Sequence, residues 1–454
     1  MHWRNHARRS SMEKGGRRKM HIVMVPWLAM GHIIPFHHLS ICLAQRGHTV
    51  SFLSTPKNLQ RLPPTPKTLA HLITKVPIPL VHRPPRLPPD AENSLDLSYP
   101  KHQLLKLAFA SVEPTIASFL TFSSPRPDWI VYDFTCHWLP GLARPLGIRS
   151  AYFGLFTAAF FAFLGPPLTF LDGSGSDRLT VERFTAVPAW VPESNFAFRP
   201  YEIAKFVHRS TCQEFEPEWF DLLGKLLQKP LVPVGLLPPT PAEKDVKDEG
   251  RWVSMRDWLD KQAPGSVVYI ALGSEVELCI QEVQHLALGL EKTGLPFLWV
   301  LRNPPESTQR AADMLPDGFM ERVEGRGIIC TEWAPQVRIL SHGAVGAFMT
   351  HCGCNSFIEG LAFGRVLIML PMINDQGLNA RLLQRKNVGI EVERDERDGL
   401  FTPDAVAKAV TQAMVGKAGE PIRACAREAM GLFGNKEKND RYVDEFVGYL
   451  EEHT

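Results

Sequence analysis

The segment from His351 to Glu359 combines residue types that can bind an anion. The apolar run VGAFMTH predicts a buried strand, and the small residues of HCGCNS follow it as a turn into a predicted helix. Asn355 and Ser356 are predicted at the N-cap of that helix, where free N–H groups and the helix dipole favour negative charge. Gly353 lets a ligand approach the backbone closely. With His351 beside them, these residues could form a phosphate site that needs no metal ion, although plain N-capping would use the same residue types.

Polar and aromatic residues at neighbouring strand ends suit the rest of a nucleotide. Glu359 lies one turn further along the same predicted helix and could bind ribose hydroxyls, or it could be a solvated surface charge. Trp333 could stack on a base while Gln336 bonds the edge of that base, or Trp333 could simply pack in the core. Asp375 and Gln376 follow the next predicted strand and offer a carboxylate and an amide to sugar hydroxyls.

Both halves of the chain alternate predicted strands and helices. In the first half, MHIVMVPW and TVSFLST flank a helical stretch with apolar Ile33, Phe36 and Leu39, and PDWIVYDF is a further strand. Residues 61–90 are rich in proline and indicate a long loop over the edge of the sheet. The second half contains the predicted strands SVVYIALGS, PFLWVLR, GIICTEW, VGAFMTH, RVLIMLP and GIEVE. The first of these ends in Ser274, whose hydroxyl would lie near the phosphates. The pattern predicts an α/β protein of two Rossmann-like, doubly wound domains facing a central cleft, with ligands at the carboxyl ends of the strands.

Composition sets the predicted domain limits. Residues 1–19 are predicted to be a disordered basic extension, and residues 20–235 a first domain, in which the apolar run from Ala151 to Leu164 indicates a buried wall. The stretch 236–252 mixes prolines and charges without periodicity, as linkers do. Residues 253–435 are predicted to form the second domain. Residues 436–454 predict an amphipathic helix that could pack on either domain.

Charge and cysteine usage exclude several classes of protein. The chain of 454 residues has a net charge of +2, but its first twenty residues hold seven basic residues and one acid, so the remainder is slightly acidic. Such a body has no basic surface for nucleic acid or an anionic membrane. The longest apolar run is too short to span a membrane. Eight scattered cysteines without a CxxC pair, and the lack of N-x-S/T sequons, favour a cytoplasmic protein.

Common catalytic motifs are missing from the sequence. It contains no G-x-G-x-x-G after either early strand, no G-x-x-x-x-G-K-[ST] and no G-x-S-x-G, which argues against a nicotinamide dehydrogenase, a P-loop enzyme and the commonest hydrolases. Cys352 and Cys354 are too close together for a zinc pair and have no partner pair. No metal site is therefore predicted.

The 44 residues from Trp333 to Gln376 resemble the signature box of the plant secondary-product UDP-glycosyltransferases of family 1, and the resemblance extends over residues 20–454. It implies a GT-B fold and inverting, metal-independent sugar transfer without a cofactor. A UDP-sugar donor would be the co-substrate, and a small molecule the acceptor. The donor site would comprise Trp333, Ala334 and Gln336 at the uridine, Glu359 at the ribose, Ser274, His351, Gly353, Asn355 and Ser356 at the diphosphate, and Cys354, Asp375 and Gln376 at the sugar. In the family, a terminal Gln such as Gln376 goes with glucose donors more often than with galactose.

A second motif suits the catalytic base that this family uses. His32 follows the first strand at the start of a predicted helix, whose dipole disfavours the imidazolium ion, so the neutral ring could accept a proton. Asp133 follows PDWIVYDF and could bond the other ring nitrogen. By resemblance these residues are the base and its acid partner. The alternatives are a loop histidine and a strand-end cap.

This chain differs from the family pattern at two places. The family usually has Trp where this chain has Cys354, which predicts weakened or altered donor choice. Relatives also have a longer chain around residues 205–211.

The stretches PWLAMGHIIPF, STPKNLQRLPP and ALGSEVEL resemble the branch that extends sugars on flavonoids or terpenoids. A monomeric transferase of a hexose, glucose above all, is the expectation, and a catalytically impaired UDP-sugar-binding protein and a UDP-sugar epimerase are the alternatives.

Overall fold

The computed structural model describes residues 18–165, 181–192, 195–203, 217–227, 230–237, 249–304 and 310–454. Most of the basic extension, most of the predicted linker and the short connection around residues 205–211 lie outside these described residues. Within the described ranges the strands form two sheets, and every strand pairing is parallel. The two-domain α/β prediction is therefore confirmed.

The first sheet is built around a buried strand close to the start of the described chain. Its strands are β1 His21–Val25, β2 Thr49–Ser54, β3 Ile73–Pro77, β4 Trp129–Tyr132 and β5 Arg149–Tyr152. They lie in the order β3-β2-β1-β4-β5, with Ile22 opposite Val50 on one side and Trp129 on the other. Alternate residues of β1 pack into hydrophobic clusters on opposite faces, which is why the strand is apolar throughout.

Two strands of this sheet differ from the sequence prediction. β3 lies inside residues 61–90, which were expected to be a loop, and β5 includes the first two residues of the apolar run that begins at Ala151. Both are edge strands, and only Ile73 of β3 is buried, so neither has the apolar run of a central strand. Pro77 ends β3, where an edge strand tolerates the missing N–H group.

The second sheet repeats the plan with one more strand. Its strands are β6 Val267–Ala271, β7 Phe297–Val300, β8 Gly327–Cys330, β9 Val345–Thr350, β10 Val366–Met369 and β11 Gly389–Glu391. They lie in the order β11-β10-β9-β6-β7-β8, which is the arrangement of a complete dinucleotide-type fold. All six apolar runs predicted in this half are strands.

Helices cover the faces of both sheets. The helices of the first half are α1 Met30–Gln45, α2 Pro56–Arg61, α3 His102–Ala110, α4 Glu113–Phe122, α5 Leu139–Ala143, α6 Ala158–Leu164, α7 Val181–Phe184, α8 Pro200–Ile203 and α9 Pro217–Leu227. Those of the second half are α10 Glu249–Leu259, α11 Ile280–Thr293, α12 Phe319–Arg322, α13 Gln336–Ser341, α14 Cys354–Ala362, α15 Gln376–Arg385, α16 Pro403–Met414, α17 Glu420–Phe433 and α18 Lys436–Glu452.

The last helix, α18, packs on the first domain. Its apolar residues Val443, Phe446, Val447 and Leu450 are buried in the cluster that also holds the inner face of α1. The indole Nε1 of Trp129 in β4 donates to the carbonyl of Leu450 over 3.3 Å. The chain thus crosses back from the second domain to complete the first.

One stretch, Tyr99–Phe122, is long and apolar enough to cross a membrane by length and composition alone. In the fold it is divided into α3 and α4, and its apolar residues Leu105, Phe109, Ile116 and Leu120 are buried in the core of the first domain. Leu107 and Phe122 of the same stretch are exposed, so only one side of these helices packs in the core.

In each sheet the strand order reverses between two central neighbours. The reversal falls between β1 and β4 in the first sheet and between β6 and β9 in the second. Crevices at the carboxyl ends of such strand pairs are where doubly wound folds bind their ligands. The residues that follow these four strands are therefore candidates for a ligand-binding site.

Candidate active site

His32 and Asp133 meet at the reversal point of the first sheet. The Nδ1 of His32 lies 2.5 Å from Oδ2 of Asp133, and both side chains are fully buried. Asp133 also accepts hydrogen bonds from the backbone N–H groups of Trp27 (3.0 Å) and Phe134 (2.8 Å). Three donors fix the orientation of the carboxylate, which in turn favours the tautomer with the proton on Nδ1. The Nε2 of His32 is then the atom that can accept a proton.

Helix α1 supports this arrangement. His32 is the third residue of the helix, and the first turn contains no acidic residue. The positive end of the helix dipole therefore disfavours a positive charge on the ring, whereas the Asp133 carboxylate stabilises such a charge when it forms.

Aromatic side chains form a wall beside the histidine. The ring of Phe134 lies 5.6 Å from that of His32 between centroids, and Phe156 continues the cluster towards α6. The Nζ of Lys106 lies 5.7 Å from the centre of the Phe134 ring. In α6 itself Phe160 and other apolar residues are buried, as the predicted wall requires. The surroundings of His32 are thus aromatic, with one cation at their edge.

His351 occupies the reversal point of the second sheet, between two glycines. A Cβ atom added to Gly273 or to Gly353 would lie 2.5 Å from the His351 Nε2. Gly273 also has a φ of +83°, a conformation that favours glycine. The imidazole is therefore packed between the turns that follow β6 and β9, and Ser274 is the next residue on the first of these turns.

Helix α14 begins three residues earlier than the sequence predicts, because HCGCNS was expected to be a turn that ends at Ser356. The N-cap is Gly353, which has no side chain with which to cap the helix, and Cys354 is the first helical residue. Asn355 and Ser356 therefore lie in the first turn, and the prediction that they occupy the N-cap is wrong. The extended backbone of Gly353 (φ −65°, ψ 144°) turns the chain before them. Because glycine has no side chain, the N-cap residue does not accept a hydrogen bond from the first N–H groups of α14. An anion site at a helix N-terminus requires such N–H groups.

Asn355 instead bridges the two domains. Its Nδ2 donates a hydrogen bond to the carbonyl oxygen of Gly31 over 2.9 Å, and Gly31 immediately precedes His32. The start of α14 and the start of α1 therefore face one another across the cleft. This contact brings the predicted base and the predicted phosphate residues into one site.

Glu359 is half-buried and lies near two polar side chains. Its Oε2 accepts a hydrogen bond from Nε2 of Gln336 over 2.7 Å, and the hydroxyl of Tyr269 donates to Oε1 of Gln336 over 3.3 Å. Burial raises the pKa of Glu359 from 4.5 to about 7, although the hydrogen bond from Gln336 acts in the opposite direction. The alternative of a solvated surface charge is therefore wrong.

Trp333 and Ala334 differ in exposure at the end of β8. Trp333 is 52% exposed, so the alternative of a core tryptophan is wrong and its ring face is accessible to a base. Its carbonyl accepts a hydrogen bond from Arg251 over 3.1 Å, which holds the backbone at this point. Ala334 is buried.

Asp375 and Gln376 are buried at the start of α15. The Oε1 of Gln376 accepts hydrogen bonds from the backbone N–H groups of Met372 and Ile373, both at 2.9 Å. This orients the Gln376 amide so that its NH₂ group points away from that turn. Asp375 accepts a hydrogen bond at Oδ2 from Asn379 over 2.7 Å.

Sequence reasoning missed several residues that shape the site. Asn379 contacts Asp375 and the backbone of Cys352, and its Oδ1 accepts a hydrogen bond from Thr157 of the first domain. Asn379 is four residues after Asp375 on one helix face, and this spacing was the available signal. The pairing of Tyr269 with Gln336 gave no sequence signal, because it joins a strand to a distant helix.

Metal-ligating groups are not clustered in the parts of the chain that the structure describes. No group of three or more His, Cys, Asp or Glu side chains there could hold a metal ion.

Comparison with known proteins identifies relatives of this chain. A family model described as "UDP-glucoronosyl and UDP-glucosyl transferase" matches residues 248–417. The chain is 48% identical to UDP-glycosyltransferase 91C1 of Arabidopsis thaliana over 95% of this chain and 96% of that protein. It is 36% identical to soyasaponin III rhamnosyltransferase of Glycine max over 97% of both chains.

A solved structure supports the fold. The crystal structure of TcCGT1 in complex with UDP has a TM-score of 0.78 and 22% identity, and the match covers 96% of this chain and all of that one. That protein is similar to this one in its GT-B architecture. Together with the near full-length identity to the plant relatives, these findings show that the chain belongs to the plant family 1 UDP-glycosyltransferases.

Proposed function

We propose that this UDP-glycosyltransferase transfers a hexose, glucose above all, to a hydroxyl of a small lipophilic acceptor or its glycoside, of flavonoid or terpenoid type, with inversion. The observation that carries the proposal is the buried contact of His32 with Asp133, opposite the start of α14. It supplies a base on one side of the cleft and an anion site on the other.

The donor would lie along the carboxyl edge of the second sheet. Trp333 would stack on uracil next to Ala334, with Gln336 beside the uridine and Glu359 at the ribose hydroxyls. Ser274, His351 and the first turn of α14, including Gly353, Asn355 and Ser356, would hold the diphosphate. Cys354, Asp375 and Gln376 would contact the sugar. The support for this assignment is the order of these residues from β8 to α15 along one edge.

The reaction would then proceed as a single displacement. Nε2 of His32 takes the proton of the acceptor hydroxyl as that oxygen attacks the anomeric carbon, and Asp133 stabilises the imidazolium that forms. The bond between the anomeric carbon and the UDP oxygen breaks on the opposite face, which inverts the centre. A hydroxyl is far less acidic than imidazolium, so proton removal is concerted with attack.

The charge on the departing UDP would be stabilised by the protein alone. The N-terminus of α14, His351 and the hydroxyls of Ser274 and Ser356 supply the donors. We propose on this basis that the reaction needs no metal ion or cofactor, and that its rate persists in EDTA.

The acceptor and the sugar are inferred from two features. The aromatic wall of Phe134, Phe156 and α6 suits a flat or apolar aglycone. Gln376 favours glucose, while the name of the soybean relative shows that a protein 36% identical to this one is a rhamnosyltransferase. We also propose a cytoplasmic monomer.

The purified protein, UDP-glucose and a panel of flavonoid and terpenoid glycosides test the proposal. Mass spectrometry would follow UDP and the acceptor together, with His32→Ala as the matched control. UDP release with a heavier acceptor supports hexose transfer. A changed sugar without UDP release would indicate an epimerase, and UDP-sugar binding without either product an impaired enzyme. ¹H NMR of the first product would show a β-linkage from an α-linked donor if the centre inverts.

A further inference from the structure

Asn379 is a fully buried asparagine at the boundary between the two domains. Its Nδ2 lies 3.0 Å from the carbonyl oxygen of Cys352, 2.7 Å from Oδ2 of Asp375 and 3.9 Å from Sγ of Cys354. Its Oδ1 accepts a hydrogen bond from the hydroxyl of Thr157 over 3.0 Å. One side-chain amide thus touches both domains and both sides of the proposed sugar site.

In one orientation these contacts use both N–H donors of the amide and one of the two acceptor sites of its oxygen. The two N–H groups point to the Cys352 carbonyl and to Asp375, and the oxygen faces the only hydroxyl among these partners. Reversing the amide would place a carbonyl against a carboxylate in a buried site, which is costly. Asn379 therefore holds one oxygen of Asp375 in a fixed position.

The same amide supports the turn before α14. Cys352 is a buried non-glycine residue with a φ of +66°, a conformation that is unfavourable for an L-residue. The hydrogen bond from Asn379 to its carbonyl helps to hold that backbone. The position of Cys354, which is proposed at the donor sugar, depends on this turn.

Thr157 connects the amide to the acceptor side. Its hydroxyl caps α6 by accepting a hydrogen bond from the N–H group of Phe160 over 3.3 Å, and it donates to Asn379. The hydroxyl is thereby used both as donor and as acceptor. The apolar wall of α6 is linked through two buried side chains to Asp375.

We infer that Asn379 is a positioning residue for the donor sugar, which it serves by orienting the Asp375 carboxylate and the Cys352 turn while anchored to Thr157. The inference rests on the proposed place of Asp375 at the hexose. Its consequence is that Asn379 matters for the sugar of the donor and not for the UDP moiety.

Binding of UDP-glucose and of UDP to the full-length protein separates these contributions. In N379A we expect the dissociation constant for UDP-glucose, or its KM, to rise about tenfold, as the loss of one charged hydrogen bond would cause. The dissociation constant for UDP should stay within about twofold, because UDP has no hexose. Calorimetry measures both, and unchanged or equally weakened binding of both ligands overturns the inference.

A matched pair at Thr157 tests the same inference even if N379A does not fold. T157V removes only the hydroxyl from a side chain of similar shape, whereas T157S keeps it. We expect T157V to raise the KM for UDP-glucose by about threefold without changing UDP binding, and T157S to restore it. Equal behaviour of T157V and T157S would overturn the inference. A wild-type protein that bound no UDP-sugar would instead overturn the proposed function itself.

Discussion

The side-chain amide of Asn355 donates to the carbonyl oxygen of Gly31 across the cleft, over 2.9 Å. Asn355 belongs to the helix proposed to hold the diphosphate, and Gly31 precedes the proposed base. The proposed base and the proposed diphosphate site are therefore connected by a hydrogen bond that joins the starts of two helices.

Removing this bond is expected to impair catalysis. N355A should lower kcat/KM about tenfold because the donor to the Gly31 carbonyl is lost, and N355D should lower it further because its carboxylate would also repel that carbonyl and the proposed diphosphate. Initial rates with saturating donor and varied acceptor measure the effect. Rates for N355A that equal those of the wild type would show that the contact has no part in the reaction.

The contact of His32 with Asp133 predicts strong non-additivity. H32A should lower kcat by about 10²–10⁴, and the double variant H32A/D133N should be no slower than H32A, because Asp133 acts through the imidazole. Single-turnover rates give the comparison. S40A, which removes a hydroxyl bonded only to Phe36 on the same helix, is the control and should be nearly neutral. Additive losses would contradict the coupling.

The raised pKa of Glu359 predicts pH-dependent donor binding. Ribose hydroxyls donate to the carboxylate, so the proton must leave, and below pH about 7 the affinity for UDP-glucose should fall as the pH is lowered. The fall should approach but not exceed tenfold per pH unit, and E359Q should remove it. Calorimetry between pH 5.5 and 8 would show this. UDP-glucose suits the measurement because its diphosphate does not titrate there.

The same residue predicts a change in stability. Because the folded-state pKa of Glu359 lies above its ordinary 4.5, the folded protein binds the proton more tightly, and the free energy of unfolding falls as pH rises from 4.5 to 7. At pH 8 the unliganded E359Q protein should be more stable than the wild type, by roughly 1–3 kcal/mol. Thermal unfolding at pH 8 and pH 5 tests the sign. A variant that loses stability at pH 8 would contradict it.

Gly273 offers a test of the His351 site. An added Cβ would displace the imidazole and impose strain at positive φ, so G273A should weaken UDP binding by more than about tenfold. Gly265 is the matched control, since its φ is +67° and a Cβ there would meet nothing within 4 Å. G265A should lose stability but keep its affinity for UDP. Equal affinities for G273A and G265A would exclude the proposed role of the turn.

Cys354 predicts a gain of function. Trp at this position would supply a broad apolar wall and an N–H donor beside the sugar, so C354W should raise turnover with UDP-glucose. C354S adds no wall and should leave turnover within about twofold. Product formation at saturating acceptor measures both. No change, or a fall, in C354W would reject this explanation of donor choice.

The central strands and their following turns could be predicted from sequence because they are buried on both faces and therefore apolar throughout. β6 and β9 show this, and the turns after them contain Ser274 and His351. β3 and β5 were missed because edge strands need no such run. Site residues that follow a central strand could therefore be predicted from the sequence.

What sequence could not predict is which side chains meet. The three-residue offset at the start of α14 depends on the backbone of Gly353, and the bridge from Asn355 to Gly31 joins positions far apart in the chain. The raised pKa of Glu359 depends on burial. Asn379 has an ordinary place on a helix, and its importance arises from Thr157 in the other domain. Such contacts follow from domain packing, which periodicity does not encode.

The return of α18 to the first domain has a consequence for recombining this enzyme with its relatives. Val443, Phe446, Val447 and Leu450 each contribute about 1.5–3 kcal/mol of burial to a lobe whose other residues end some two hundred positions earlier. A chimera that exchanges acceptor halves at the linker alone would leave a foreign helix against α1 and Trp129. The unit that can be exchanged between these enzymes therefore consists of two separate segments of the chain, the first domain and α18.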